Sequence, residues 1–146
     1  HWAADLKLGR HTYNARSETV AIKPSFRDAW RQARHCIIPA MAIYEPDWRS
    51  GKAIPTRISR ADDQPMGIAG LWDQWKSPGG ETVYSFTMLT INADQHPLMN
   101  LLFKPTDEKR MVVILEPEQF DDWLQAPATR SMEFLQPFPA EGLRVG

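Results

Sequence analysis

Met66-Gly67-Ile68-Ala69-Gly70-Leu71-Trp72-Asp73-Gln74-Trp75, the turn Ser77-Pro78-Gly79-Gly80, then Thr82-Val83-Tyr84-Ser85-Phe86-Thr87-Met88-Leu89-Thr90-Ile91: this stretch decides the fold. Its last part is rich in β-branched and aromatic residues and predicts a central strand. Its first part is apolar and glycine-containing, and Trp72 and Trp75, three apart, face opposite sides of a strand. Working outward, Cys36-Ile37-Ile38 reads as a short buried strand, and Ile43-Tyr44 as another that leads to Glu45 before Pro46 restricts pairing. Residues 53–59 alternate Ile54, Thr56 and Ile58 with Pro55, Arg57 and Ser59, and Met111 to Leu115 is one more strand. Residues 24–34 predict a helix capped by Ser25, with Asp28 at the capping-box offset and Phe26, Ala29, Trp30 and Ala33 on one face. A short helix over 94–102, a polar loop over 104–110, and a helix from Pro117 through Gln125 with Phe120, Trp123 and Leu124 inward complete the pattern. The expected class is α+β: many antiparallel strands with helices at the flanks, in one domain over residues 1–146.

At 146 residues the chain is long enough to bury a core without staples. A single Cys excludes an intramolecular disulfide framework and a Cys-rich zinc module. The longest apolar runs are only a few residues, so no membrane helix is expected, and the expected setting is cytoplasmic. The chain starts at His1 rather than Met, which predicts sequence ahead of it. The net charge of -1 hides an asymmetry: residues 1–60 carry 11 basic against 5 acidic side chains, residues 61–146 carry 6 against 13. Either a basic face awaits an anionic partner such as nucleic acid, or the halves interleave and neutralise each other. No glycine-rich phosphate loop follows a strand, which argues against a nucleotide-binding fold.

Two stretches could carry chemistry. Glu45 ends an apolar strand, where burial would raise its pKa and fit it for acid–base work near neutral pH; the alternative is a strand-end carboxylate paired with an Arg. Asn14-Ala15-Arg16-Ser17-Glu18-Thr19 is a dense polar run: Asn donates and accepts, Arg offers a fork that suits phosphate, and Glu18 could orient that Arg; the alternative is a surface loop with a solvated ion pair. His1, His11, His35 and His96 include no pair at metal-ligand spacing, and no HExxH or GxSxG occurs. His35 and Cys36, adjacent on a strand, would point to opposite faces, so Cys36 reads as a small core residue. Trp2, in the basic N-terminal segment, could stack on a base or simply pack near the chain end.

These pieces occur in an order that resembles the SOS response-associated peptidase (SRAP) family: His1-Trp2, the Asn14–Thr19 run, Lys23-Pro24-Ser25-Phe26-Arg27, Arg34 to Ala40, Tyr44-Glu45, Ile68 to Trp72, Phe86 to Thr90, and Lys109 to Leu115. The resemblance spans nearly the whole chain to about Leu124 and implies an SRAP-like fold, a mainly antiparallel β-sheet or open barrel core with flanking helices. It implies binding to single-stranded DNA and covalent capture of abasic sites through an N-terminal Cys, whose amine and thiol condense with the sugar aldehyde to a thiazolidine, along with self-processing of the N-terminus. It implies roles for matching positions: Asn14 holding the Cys and sugar, Glu45 in proton transfer, Arg16 gripping a phosphate, Thr90 and Arg110 lining the DNA cleft, and Trp2 beside it. No metal, small-molecule cofactor or membrane is implied.

Three positions depart from the family pattern. The N-terminal Cys does not lie within this sequence, and Cys36 has no free α-amine to replace it. A family His expected shortly before the Arg110-Met111 strand is matched by Phe103 in a long-loop alignment and by Glu108 in a shorter one. The Trp that commonly follows the family Glu is Pro46. These departures leave a second expectation, a non-catalytic single-stranded DNA-binding relative, and a weaker third, a peptidase or amidase on another substrate.

Overall fold

The computed structural model describes residues 12–146. Trp2 and the other residues of the N-terminal segment therefore lie outside the described residues. Two of the expected strands dominate: β5 (Met66–Lys76) and β6 (Thr82–Asn92) pair antiparallel, with Gly70 opposite Met88 and Lys76 opposite Thr82. The turn between them is closed by Ser77, whose N–H donates to the Glu81 carbonyl at 2.8 Å and whose Oγ accepts from the Glu81 N–H at 3.1 Å. Gly80 sits there at φ +88, a conformation that only glycine adopts without strain.

Around this pair, β2 (His35–Ala40) runs antiparallel along the first half of β5, and β1 (Asn14–Arg16) runs parallel to β6. The run Met111 to Leu115 is not one strand. Arg110–Val112 (β7) pairs with β6, and Ile114–Leu115 (β8) pairs with β5. Val113 sits in the fork: its N–H donates to Leu89 O at 2.9 Å and its carbonyl accepts from Ala69 N at 2.8 Å. The residue between the two strands thus bridges β6 and β5 where their own pairing stops. A second sheet has the order β3 (Ile43–Asp47), β4 (Ile54–Arg60), β9 (Leu143–Val145). Pro46 does not end β3; it lies opposite Pro55, and two prolines can face each other only where neither must donate to the ladder. Neither sheet closes on itself among the described residues, so the fold is α+β and sheet-rich without a completed barrel.

The helices are shorter than their sequence patterns. Residues 24–34 yield only α1 (Arg27–Arg31), with Phe26 at the N-cap and no side-chain cap, so Ser25 does not serve. The preceding segment is instead a chain of turns, including Thr19 N to Arg16 O and Arg27 N to Lys23 O. Ala33 at φ 51 then ends the helix and turns the chain into β2. Phe26 and Ala29 are buried as expected. The 94–102 helix shrinks to the 3-10 turn Met99–Leu101. Pro117–Gln119 is a 3-10 turn that leads into α2 (Phe120–Gln125), where Trp123 is buried but Leu124 is exposed, correcting its inward assignment.

The core joins both sheets: Ile58 of β4, Met66, Ile68 and Leu71 of β5, Leu89 of β6, Met111, Val113 and Leu115, closed by Trp123. The Trp123 ring stacks on His35 with centroids 3.9 Å apart, and its Nε1 donates to Cys36 O at 2.9 Å. This fixes α2 against β2. No helix among the described residues is long and apolar enough to cross a membrane.

Candidate nucleic-acid interface and proton-transfer site

The polar run is held by β6. Asn14 lies opposite Met88, Ala15 opposite Leu89 and Arg16 opposite Thr90, and Ser17 N–H continues the ladder to Thr90 O at 2.9 Å. Ala15 is fully buried, so strand alternation turns Asn14 and Arg16 out on the same exposed face. The register places Thr90 and Asn92 of β6 and Arg110 of β7 on that face as well. Three of the predicted residues, Arg16, Thr90 and Arg110, are thereby joined in one polar network, with Asn14 one step along the strand.

Two carboxylates weave the network together. Arg16 Nη1 and Nη2 donate to the two oxygens of Glu108 at 3.0 and 3.1 Å. Arg110 donates to both oxygens of Glu18 at 2.9 and 3.0 Å, to Glu108 Oε1 at 3.2 Å, and to the carbonyl and hydroxyl of Thr90, each at 3.0 Å. Asn92 Nδ2 adds a bond to Glu108 Oε1 at 3.3 Å. The network is itself balanced, two arginines against two carboxylates, one of each from either half of the chain.

The partners differ from the local expectation. Glu18 chiefly grips Arg110, with Arg16 Nε only 3.7 Å away as a looser ion pair; it is Glu108 that orients Arg16. No local signal could have shown this, because 92 residues separate each pair. The Arg110 bonds pull the Glu18 carboxyl down to about 2. The Glu108 carboxyl is likewise lowered, first by Arg16 and then by Asn92. Arg16 keeps nearly half its side chain exposed, whereas Arg110 is mostly covered and its Nε is buried without a hydrogen-bond partner. Arg16 is therefore the arginine with donors to spare for a ligand, and Arg110 is the one that holds the network together.

Glu45 lies on β3, opposite Thr56. Among the described residues its carboxylate makes no hydrogen bond or ion pair, so none of the described arginines pairs with it. Burial alone pushes its carboxyl up to about 7. It is poised to exchange a proton near neutral pH. Cys36, half-buried, has its thiol pushed up to about 11 by burial and is not a thiolate nucleophile.

Neither described histidine is available for chemistry. His35 Nδ1 lies 2.7 Å from Trp123 O and so carries the proton, which makes Nε2 the acceptor from Ser131 Oγ–H at 2.7 Å. His96 Nε2 donates to Phe138 O at 2.7 Å while Nδ1 accepts from the backbone of Leu98 and Met99. Both rings are buried. Phe103 packs against the hydrophobic core, whereas Glu108 stands two residues before Arg110 within the network. Among the described residues no cluster of three or more His, Cys, Asp or Glu could hold a metal ion.

The family model described as SOS response associated peptidase (SRAP) matches residues 1–146, and the chain belongs to that family. It is 36% identical over 148 residues to the abasic site processing protein YoqW of Bacillus subtilis (strain 168), covering 99% of this chain and 62% of that protein. It is 27% identical over 154 residues to the abasic site processing protein HMCES of Gallus gallus, covering 90% of this chain and 44% of that one. Among solved structures, a Bordetella bronchiseptica protein superposes with a TM-score of 0.89 at 58% identity, covering 91% of this chain and 63% of that chain. A Bacteroides thetaiotaomicron protein gives a TM-score of 0.83 at 26% identity, covering 99% of this chain and 63% of that one. The chain thus spans less than two thirds of the length of these proteins.

Proposed function

We propose that this chain is the larger part of a protein that binds single-stranded DNA and captures abasic sites covalently. The observation that carries the reading is the common exposed face of Asn14 and Arg16 beside Thr90 and Arg110, in a chain of the SRAP family. Relatives named for abasic site processing support it. In this reading Arg16 takes a backbone phosphate and Arg110 holds the cleft in shape. Asn14, able to donate and accept, positions the open-chain sugar. Trp2, outside the described residues, supplies an aromatic ring for a base in the same reading.

The covalent step draws its amine and thiol from an N-terminal Cys in sequence ahead of His1. The amine adds to the sugar aldehyde, the carbinolamine loses water to give an imine, and the thiol adds to the imine carbon, closing a thiazolidine with one water released. Glu45, with its carboxyl near 7, hands a proton to the departing hydroxyl. Self-processing of the N-terminus, which exposes that amine, belongs to the same reading, and so does a cytoplasmic setting.

The full-length reading frame, incubated with a single strand carrying one abasic site, should give a shifted band on a denaturing gel, weakened in Asn14→Ala. Absence of any band from a protein with a verified N-terminal Cys overturns capture. One observation favours a second reading, binding without capture. Glu108, which the shorter-loop alignment sets against the family His, is tied to Arg16, and both described histidines are locked in the core. Salt-sensitive binding to intact and abasic strands alike, with no covalent product, is the outcome that would establish it.

A further inference from the structure

Arg16 meets Glu108 edge-on, through Nη1 and Nη2, in the two-pronged geometry by which a guanidinium also holds a phosphodiester. Glu108 belongs to the exposed loop over 104–109, and among the described residues its carboxylate is placed by Arg16, Asn92 and Arg110 alone. Both members of the pair are open to solvent, with 46% of the Arg16 and 41% of the Glu108 side chain exposed. Glu18 differs: it closes the covered Arg110 and belongs to the frame of the site. Any anion that uses the Nη edge of Arg16 must first move Glu108 aside.

We propose that Glu108 is an internal stand-in for a backbone phosphate: it occupies the Arg16 subsite in the free protein and is displaced when a single strand binds. This rests on the DNA-binding reading above and names the competitor within that site. Exposed ion pairs are weak, so the exchange costs little, and the exposed Glu108 side chain can rotate away without disturbing β1 or β6. Glu108 is ionised at neutral pH, held so by Arg16, and the competition is therefore permanent rather than pH-gated. Its effect is to lower affinity for strands that offer nothing but phosphate.

The salt dependence carries the signature. A strand phosphate neutralised by Arg16 releases its counterion, but the freed Glu108 takes one up, so the net release at this subsite is nil. Removing the carboxylate restores that release, about 0.7 of an ion for a single strand. The test is binding of an intact single strand to the full-length reading frame across a salt series. Glu108→Gln should bind about three- to five-fold tighter at low salt. Its plot of log affinity against log salt should steepen by about 0.7. Both changes should vanish in an Arg16→Ala background.

Asp107→Asn is the control for general charge. Asp107 is exposed on the same loop, and among the described residues its carboxylate makes no hydrogen bond or ion pair. It should change affinity less than about twofold and leave the slope alone. Wild-type binding left unchanged or weakened by Glu108→Gln overturns the proposal while leaving DNA binding standing. An equal gain from Asp107→Asn, or a gain that survives Arg16→Ala, overturns it as well. If neither wild type nor Glu108→Gln binds, the proposal falls together with the reading beneath it.

Discussion

Arg110 and Glu18, 92 positions apart in sequence, meet fork to fork at 2.9 and 3.0 Å, and the same guanidinium caps both oxygens of Thr90. One side chain thereby ties β7, the turn after β1, and β6 into a single frame beneath Arg16. Lysine has neither the fork nor enough directed donors to repeat this. Arg110→Lys should lower unfolding stability by about 1–2 kcal/mol, since charged hydrogen bonds are lost but Glu18 can return to water. A urea midpoint equal to wild type would show that the frame holds without Arg110.

Glu45 gives a pH-dependent stability of definite sign. Its carboxyl is raised by burial from 4.5 to about 7, so the folded chain holds its proton more tightly than the unfolded chain. The stability due to this proton is fully present below 4.5 and is lost as pH rises through about 7. Glu45→Gln stays neutral and escapes the loss. The variant should melt higher than wild type at pH 8 and match it at pH 4.5. Equal melting temperatures at pH 8 would mean that Glu45 ionises without penalty.

His35 works in the opposite sense. Burial lowers its pKa below 6.5, because a second ring proton would bury a charge and turn the Ser131 hydroxyl from donor to acceptor. The unfolded chain then takes up the proton first, and stability is lost as pH falls below about 6.5. In wild type this is offset by Glu45 over the same range. The Glu45→Gln background should expose a steeper acid loss between pH 7 and 5.5 in denaturant midpoints. A flat profile there would show that His35 accepts a proton in the fold.

Much of this was legible in the chain. The β5–β6 pair, β2 and the buried Trp123 follow from periodicity, β-branched content and turn residues, whereas the Asn14–Arg16 strand shows no pattern of its own and is set by its pairing with β6. What local patterns missed is long-range. Met111 to Leu115 splits into two strands because Val113 must serve two neighbours at once, which its own composition does not record. The capping-box pattern at Ser25 and Asp28 lost to turns that return Val20 and Phe26 to the core. Glu108 stands out in sequence only as a possible match to the family His; its bond to Arg16 depends on β7 lying beside β6 and is not written in the loop.

Gly70 lies opposite Met88, which lies opposite Asn14, so the spacing of three strands at the site depends on it. An added Cβ would fall 2.6 Å from the Thr87 carbonyl oxygen and against Ile38 Cδ1, and backbone cannot step aside as a side chain can. Gly70→Ala should cost about 1–3 kcal/mol in chemical denaturation. Gly79→Ala, whose new Cβ would meet only Ser77 Oγ at 3.8 Å, should be close to neutral. Equal effects from the two would contradict the packing described for β5.

The most direct test of the account is the rate of covalent capture of an abasic single strand against pH, for the full-length reading frame and its Glu45→Gln variant. The protein's α-amine and the strand's aldehyde are the same in both reactions, so the ratio of the two rates isolates the carboxyl. The account predicts that wild type is faster below pH 7 and that the ratio falls with a midpoint near 7 as Glu45 loses its proton. A ratio that is constant across that range, or equal to one throughout, would contradict the role assigned to Glu45.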